Sequence, residues 1–275
     1  MKFTLAFDIY NKESTIESLL TSWLDACSMR HEIEVVMIFD DLHDDSGIIA
    51  RNVLGRYSLV HNILMSADNK YEIHCNNLAF QRAHGDFIVF IQDDNWMYDQ
   101  NWDDTLARVL NCVPNVGIVG LLAGSDIHNA VKWDRFEINR PHKGSNYTTN
   151  LADVLDAKLG VWAVDSVCRP FGLYTKQLEE FRGLDLSYCP MEFDDMDVCT
   201  KALKYGLTNI YIPFDVVNTT GRSETISADI RSRCWTCGRA CWNRYHGPFI
   251  AQTYARTKPR MLFPLVERGG GIYLK

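Results

Sequence analysis

Phe87-Ile88-Val89-Phe90-Ile91-Gln92-Asp93-Asp94-Asn95 runs from five apolar residues straight into two adjacent carboxylates. A short unbroken apolar run marks a strand buried on both faces, where the period-two alternation disappears. Carboxylates at its end are carried to the edge of the core, where charge is costly unless paired or bound to a cation. In open α/β sheets ligands collect at the carboxyl ends of the strands. A carboxylate pair there suits a divalent cation and, through it, a phosphate group. An acidic turn after a strand is the other reading, since aspartate is a common turn former.

Outward from this stretch the same pattern recurs. Phe3–Ile9 reads as a buried strand with Asp8 at its end, and Ile33–Phe39 as a second one followed by Asp40-Asp41. Leu59–Met65 is a weaker third. Between the first two, Ser14-Thr15-Ile16-Glu17 has the form of a capping box opening a helix. Tyr71–His84 reads as a helix stopped by Gly85, and Thr105–Cys112 as one ending before Pro114. Val116–Leu122, Val161–Val167 and Asn209–Ile212 read as further strands, and Thr175–Phe181 and Asp195–Tyr205 as helices. The polar segment from Ser125 to Asn150 offers one strand, Val131–Ile138, and Ala228–Tyr245 one helix. Strands alternating with helices predict an α/β fold: a mixed, mostly parallel sheet flanked by helices. Carboxylates at three strand ends would then share one sheet edge and repel one another unless a cation or donors are present.

The chain has 275 residues, 47 % of them hydrophobic and 23 % charged, which fits one large globular domain. A net charge of −7 argues against broad nucleic-acid or anionic-membrane binding. No run approaches the roughly 20 apolar residues of a transmembrane helix. The N-terminal apolar run is short for a signal peptide. With nine cysteines read as reduced thiols, the expectation is a soluble cytoplasmic protein.

Four blocks together resemble family 2 glycosyltransferases of the GT-A fold. Phe7-Asp-Ile-Tyr-Asn-Lys-Glu13 resembles the family's opening strand with its Tyr-Asn-x-Glu, and Val35–Asp41 resembles its second strand ending in Asp-Asp. Asn77–Gly85 running into Asp86–Asp94 resembles the helix before the metal-binding strand. Phe181-Arg-Gly-Leu-Asp185, Asp194-Asp195-Met-Asp197 and Tyr205-Gly206 resemble the acceptor-side block. The likeness spans roughly residues 3–213.

The resemblance implies a nucleotide half (1–122), an acceptor half (123–213) and a C-terminal lid and helical tail (214–275) packed on the same domain. It implies a metal-dependent inverting transferase, taking a sugar from a nucleotide-diphospho-sugar, UDP-linked in expectation, to a hydroxyl of a glycan or other acceptor. Asp8, Tyr10, Glu13 and Asp41 would line the nucleotide site; Asn77 and Arg82, on the helix before the metal strand, would add nucleotide contacts or else stand as a helix-packing asparagine and a surface arginine. Gln92 stands where the family has the first acid of its Asp-x-Asp block. That leaves Asp94 as ligand to Mn2+ or Mg2+ and Asp93 for sugar or ribose. Asp195 matches the catalytic base and Asp194 its neighbour or a helix cap. The segment Thr219–Ser227 has the position of a lid, with Arg222 reaching the diphosphate. Arg169 is open between a substrate contact and a structural ion pair. The family's late metal-binding histidine has no counterpart near Phe214, which leaves Asp215 or Asn218 in its place or no third ligand at all.

Two rivals remain at this point. A sugar-phosphate nucleotidyltransferase would want a glycine-rich basic loop after the first strand, and residues 8–14 hold no glycine and one lysine. A non-catalytic sugar- or partner-binding relative would explain Gln92. In the tail, Cys234, Cys237, Cys241 and His246 have the spacing of a weak zinc motif, against which stands core packing of three cysteines on one helix face.

Overall fold

The structure, a computed structural model, describes residues 1–66, 68–129, 132–138, 140–142, 158–218, 227–252 and 259–275. The chain opens with β1 (Lys2–Ile9), α1 (Ile16–Leu24), β2 (Glu32–Asp40), α2 (Ser46–Leu54), β3 (Val60–Ser66), α3 (Tyr71–Phe80) and β4 (Phe87–Gln92). It continues with β5 (Asn95–Met97), α4 (Trp102–Cys112), β6 (Val116–Gly120), β7 (Ala123–Asn129), β8 (Lys132–Phe136), β9 (Gly160–Ala163), β10 (Ser166–Cys168) and β11 (Phe171–Tyr174). The last elements are α5 (Thr175–Glu180), α6 (Asp194–Lys204), β12 (Thr208–Tyr211), β13 (Val216–Asn218), α7 (Ala228–Gln252), β14 (Arg260–Arg268) and β15 (Gly271–Leu274).

One ten-stranded sheet forms the centre, in the order β15-β14-β9-β12-β6-β11-β4-β1-β2-β3. The run β4-β1-β2-β3 is parallel, and β11 enters antiparallel between β4 and β6. Helices cover both faces. Phe3, Leu5 and Phe7 pack with Trp23 and Trp102 on one side. Ala6, Ile88 and Phe90 pack with Ile73, Leu178 and Val198 on the other. Burial on both faces is why β1, β2 and β4 read as continuous apolar runs. Asp8 lies in register with Gln92 and with Ile38, so the strand ends reach one edge together.

Several local expectations change. Ser14 does not cap α1: Thr15 and Ile16 donate to the Lys12 carbonyl at 3.0 and 2.8 Å, so the backbone turn itself starts the helix one residue later. Gly85 is not a helix stop, because α3 ends at Phe80. Its role is close approach: a Cβ there would lie 2.7 Å from the Thr4 nitrogen. The predicted strand Val161–Val167 splits into β9 and β10 at Val164 and Asp165, whose amides bond to the Asn209 and Ser125 carbonyls and pass the chain from the main sheet to a small one with β7 and β8. The tail is not only helical, since β14 and β15 extend the main sheet beyond β9. Among the described residues no helix is long and apolar enough to cross a membrane.

Candidate active site

The carboxyl ends of β1 and β4 and the first turns of α3 and α6 bring together Asp8, Glu72, Asp93, Asp94, Asp194 and Asp195, with Arg169 buried among Asp8, Glu72, Asp194 and Asp195. Arg169 Nε lies 2.9 Å from Glu72 Oε1, and its Nη2 donates to Asp194 Oδ2. Glu72 also accepts a hydrogen bond from Gln92 Nε2 at 2.8 Å. A single chain of contacts thus runs from the end of β4 through Glu72 of α3 and Arg169 to the first turn of α6. Gln92 fits this chain as an amide does: it donates to a carboxylate that another acid would repel.

The electrostatics follow from burial. Desolvation, then the nearby Glu72 and Asp93 charges, holds the Asp8 carboxyl well above its ordinary range. Its Oδ1 is buried with no hydrogen-bond partner. Asp93 is pushed up to about 7 by burial, against the pull of Lys12 and a hydrogen bond from the Tyr10 amide at 3.1 Å. Asp195 is pushed up to about 7 by burial and by Asp194, partly offset by Arg169 and by the Met196 amide, which donates to Asp195 Oδ1 at 2.7 Å. Arg169 is held charged by Asp194 and Glu72 despite its burial. Carboxyl groups whose ionised forms are disfavoured by burial and mutual repulsion at one edge are stabilised by a cation bound there.

Asp94 follows β4 and accepts from Asn95 Nδ2 at 3.1 Å, and β13 pairs with β5 so that Asn218 faces Asn95. Among the described residues no three His, Cys, Asp or Glu side chains form a ready-made metal cage. The hard oxygen donors and the orphaned Asp8 oxygen fit a magnesium-like ion, which is bound through one or two carboxylates plus substrate phosphates rather than by an all-protein cage. Asp215 is engaged elsewhere: its Oδ2 lies 2.7 Å from His142 Nδ1, and its amide donates to Asp99.

The loops beside this edge are fixed by acids. Asp40 accepts from the Lys70 and Tyr71 amides at 2.6 and 2.8 Å and so sets the start of α3. Asp41 has a left-handed backbone, φ 48°, and its Oδ1 lies 3.1 Å from His43 Nε2. Glu13 is exposed and joins the β1–α1 loop to the next through the Asp45 amide at 3.3 Å.

Two expected nucleotide contacts need correction. Both ends of the Asn77 amide are taken by the Leu184 backbone at 2.8 Å, tying α3 to the Arg182-Gly183-Leu184 turn. Arg82 follows the end of α3 and is exposed, next to Ala83 and His84, which line a cavity at the opposite, amino edge of the sheet with Met1 and His31. Arg222 and positions 219–226 of the lid lie outside the described residues. The tail cysteines do not form a core stripe: Cys237 is exposed, Cys234 and Cys241 half-buried, and His246 turns away to Asp197. Glu72 escaped the sequence reading. Its one signal is an acid in the first turn of a helix that starts at the carboxyl edge.

Residues 6–157, more than half the chain, match the family model described as Glycosyl transferase family 2. No curated protein matches the chain. Among solved structures the chain is similar to the mannosyltransferase PcManGT from Pyrobaculum calidifontis in complex with GDP-Man and Mn2+. The identity is 20 %, the TM-score 0.56, and the match covers 78 % of this chain and 55 % of that one. It is also similar to GalNAc-T7 with UDP, GalNAc and Mn2+, at 12 % identity, TM-score 0.64, covering 79 % and 44 %. A third is S. aureus TarS 1-349 in complex with UDP-GlcNAc, at 16 % identity, TM-score 0.54, covering 82 % and 60 %. The chain spans about half the length of these structures, and at these identities the likeness concerns the fold.

Proposed function

This chain belongs to glycosyl transferase family 2, and from that premise we propose that it is a metal-dependent inverting glycosyltransferase. It moves a sugar from a nucleotide-diphospho-sugar, UDP-linked, to a hydroxyl of a glycan or other acceptor. Residues 1–122 form the donor half and 123–213 the acceptor half. The observation that supports this best is Asp195, a carboxyl raised to about 7 in the first turn of α6, beside the acids that end β1 and β4.

Asp195 takes the acceptor hydroxyl's proton as that oxygen attacks the anomeric carbon, the bond to the diphosphate breaks and the configuration inverts. A base with a pKa near the working pH suits that transfer. Asp194 is locked to Arg169, which leaves Asp195 as the member of the pair outside that ion pair. Asp94 would hold Mn2+ or Mg2+, the ion that neutralises the charge of the leaving diphosphate when bound. Asp93 faces sugar or ribose, and Asp8, Tyr10, Glu13 and Asp41 line the nucleotide side.

A mass-spectrometric panel of UDP- and GDP-sugars with Mn2+ and mixed glycan acceptors tests the reading. Turnover of one donor is expected, lost in Asp195→Asn with UDP affinity nearly intact. Undiminished transfer by Asp195→Asn would sink the assignment. UDP binding without turnover of any donor would favour a sugar-binding, non-catalytic role.

A further inference from the structure

The two residues before α6, Glu192 and Phe193, both have left-handed backbones, φ 77° and 72°. For non-glycine residues such a conformation is unfavourable and persists only where the surroundings impose it. Those surroundings are supplied by α7. Arg231 Nε pairs with Glu192 Oε1 at 2.7 Å, and the Trp235 ring meets Phe193 edge-on at 5.7 Å between centroids. Gly238 lies flat on the same turn: a Cβ there would sit 3.0 Å from Phe193 Cδ2 and 3.2 Å from the Glu192 carbonyl oxygen.

The seam continues along α6. Trp242 Nε1 donates to the Met196 carbonyl at 3.3 Å and to Thr200 Oγ1 at 3.2 Å, and His246 Nε2 lies 2.7 Å from Asp197 Oδ1. Residues 231, 235, 238, 242 and 246 follow the three-and-four spacing of one helix face. This face touches the strained turn first and the body of α6 after it, with Asp195 between the two.

We propose that α7 is a brace that sets the position of Asp195, with Arg231, Trp235 and Gly238 as positioning residues acting through the Glu192–Phe193 backbone. This rests on Asp195 being the base. Their contacts are to the Glu192–Phe193 turn, so the effect is expected on the chemical step and not on donor binding.

The test is the series Gly238→Ala, Gly238→Val and Trp235→Ala, with turnover measured on the UDP- and GDP-sugar panel, UDP affinity by calorimetry and amide exchange at residues 194–197. An alanine methyl displaces the turn by a few tenths of an ångström and valine by more. Since about 1 Å of misplacement costs ~100-fold, kcat is expected to fall about 10-fold in Gly238→Ala and about 100-fold in Gly238→Val. Donor KM and UDP affinity stay within twofold, and exchange at 194–197 speeds up. If Gly238→Val does not fold, Gly238→Ala and Trp235→Ala decide. A kcat within twofold of wild type in both, or a parallel loss of kcat and UDP affinity, overturns the brace. Asp195→Asn in the same assay separates the two claims. Retained turnover there removes the base and the brace together, whereas lost turnover there with an intact Gly238→Ala removes the brace alone.

Discussion

Replacing Arg169 by methionine removes a cation buried among the site's carboxylates while keeping most of the side-chain volume. Its side chain is 6 % exposed, and those of its partners Glu72 and Asp194 are 14 % and 2 % exposed. Removing one partner of a buried ion pair costs about 3–5 kcal/mol, because the charge left behind has no compensation. At roughly 2–4 °C per kcal/mol for a domain of this size, the melting temperature at pH 8 falls by roughly 6–20 °C. The deficit depends on pH in a fixed direction. Burial already raises the Glu72 carboxyl, Arg169 opposes that, and loss of the guanidinium raises it further. A carboxyl whose folded pKa lies above its unfolded one costs stability at high pH and ceases to do so as it protonates. The gap between variant and wild type therefore narrows from pH 8 to pH 5. Scanning calorimetry at both pH values, without metal or nucleotide, measures it. A drop below about 2 °C at pH 8, or a gap equal at both pH values, would refute the view that Arg169 holds this acidic edge together.

Three more outcomes follow from the same geometry. As the proposed base, Asp195 acts in its ionised form, and with burial pushing it up to about 7 kcat/KM is expected to rise with pH through a midpoint near 7; Asp194→Asn, which removes a like charge, moves that midpoint lower. Asp93 and Asp195 bind protons in the folded state up to about pH 7, so the donor-free protein gains stability as pH falls from 8 towards 5, and Mn2+ with UDP suppresses that gain in melting experiments. Phe90→Ala, at a fully buried position whose ring meets Phe171 at 5.5 Å, destabilises by about 3–5 kcal/mol in urea unfolding, with no change in m beyond error.

The strands β1, β2 and β4 were legible because they are buried on both faces and therefore spell themselves as apolar runs ending in acids. The periphery was harder to read. Residues 46–54 of α2 mix Gly47, Arg51 and Asn52 into a short helix, and β14 carries Pro264 at the far side of the sheet, where alternation is weak. The carboxylates at the strand ends could be placed from the sequence, but not their wiring. Glu72, Gln92, Arg169 and Asp194 come from four separate segments, and only the fold makes them neighbours. Asn77 shows the converse: a polar residue in the right block whose amide is already satisfied by the Leu184 backbone.

Asp94 is the residue proposed to hold the divalent ion that joins the nucleotide diphosphate to this acidic edge. Calorimetric titration of UDP into wild type and Asp94→Asn, with and without Mn2+, tests it most directly. Binding by wild type that depends on Mn2+ and is lost in Asp94→Asn is the predicted result. UDP binding indifferent to Mn2+, or equal in the two proteins, would contradict it.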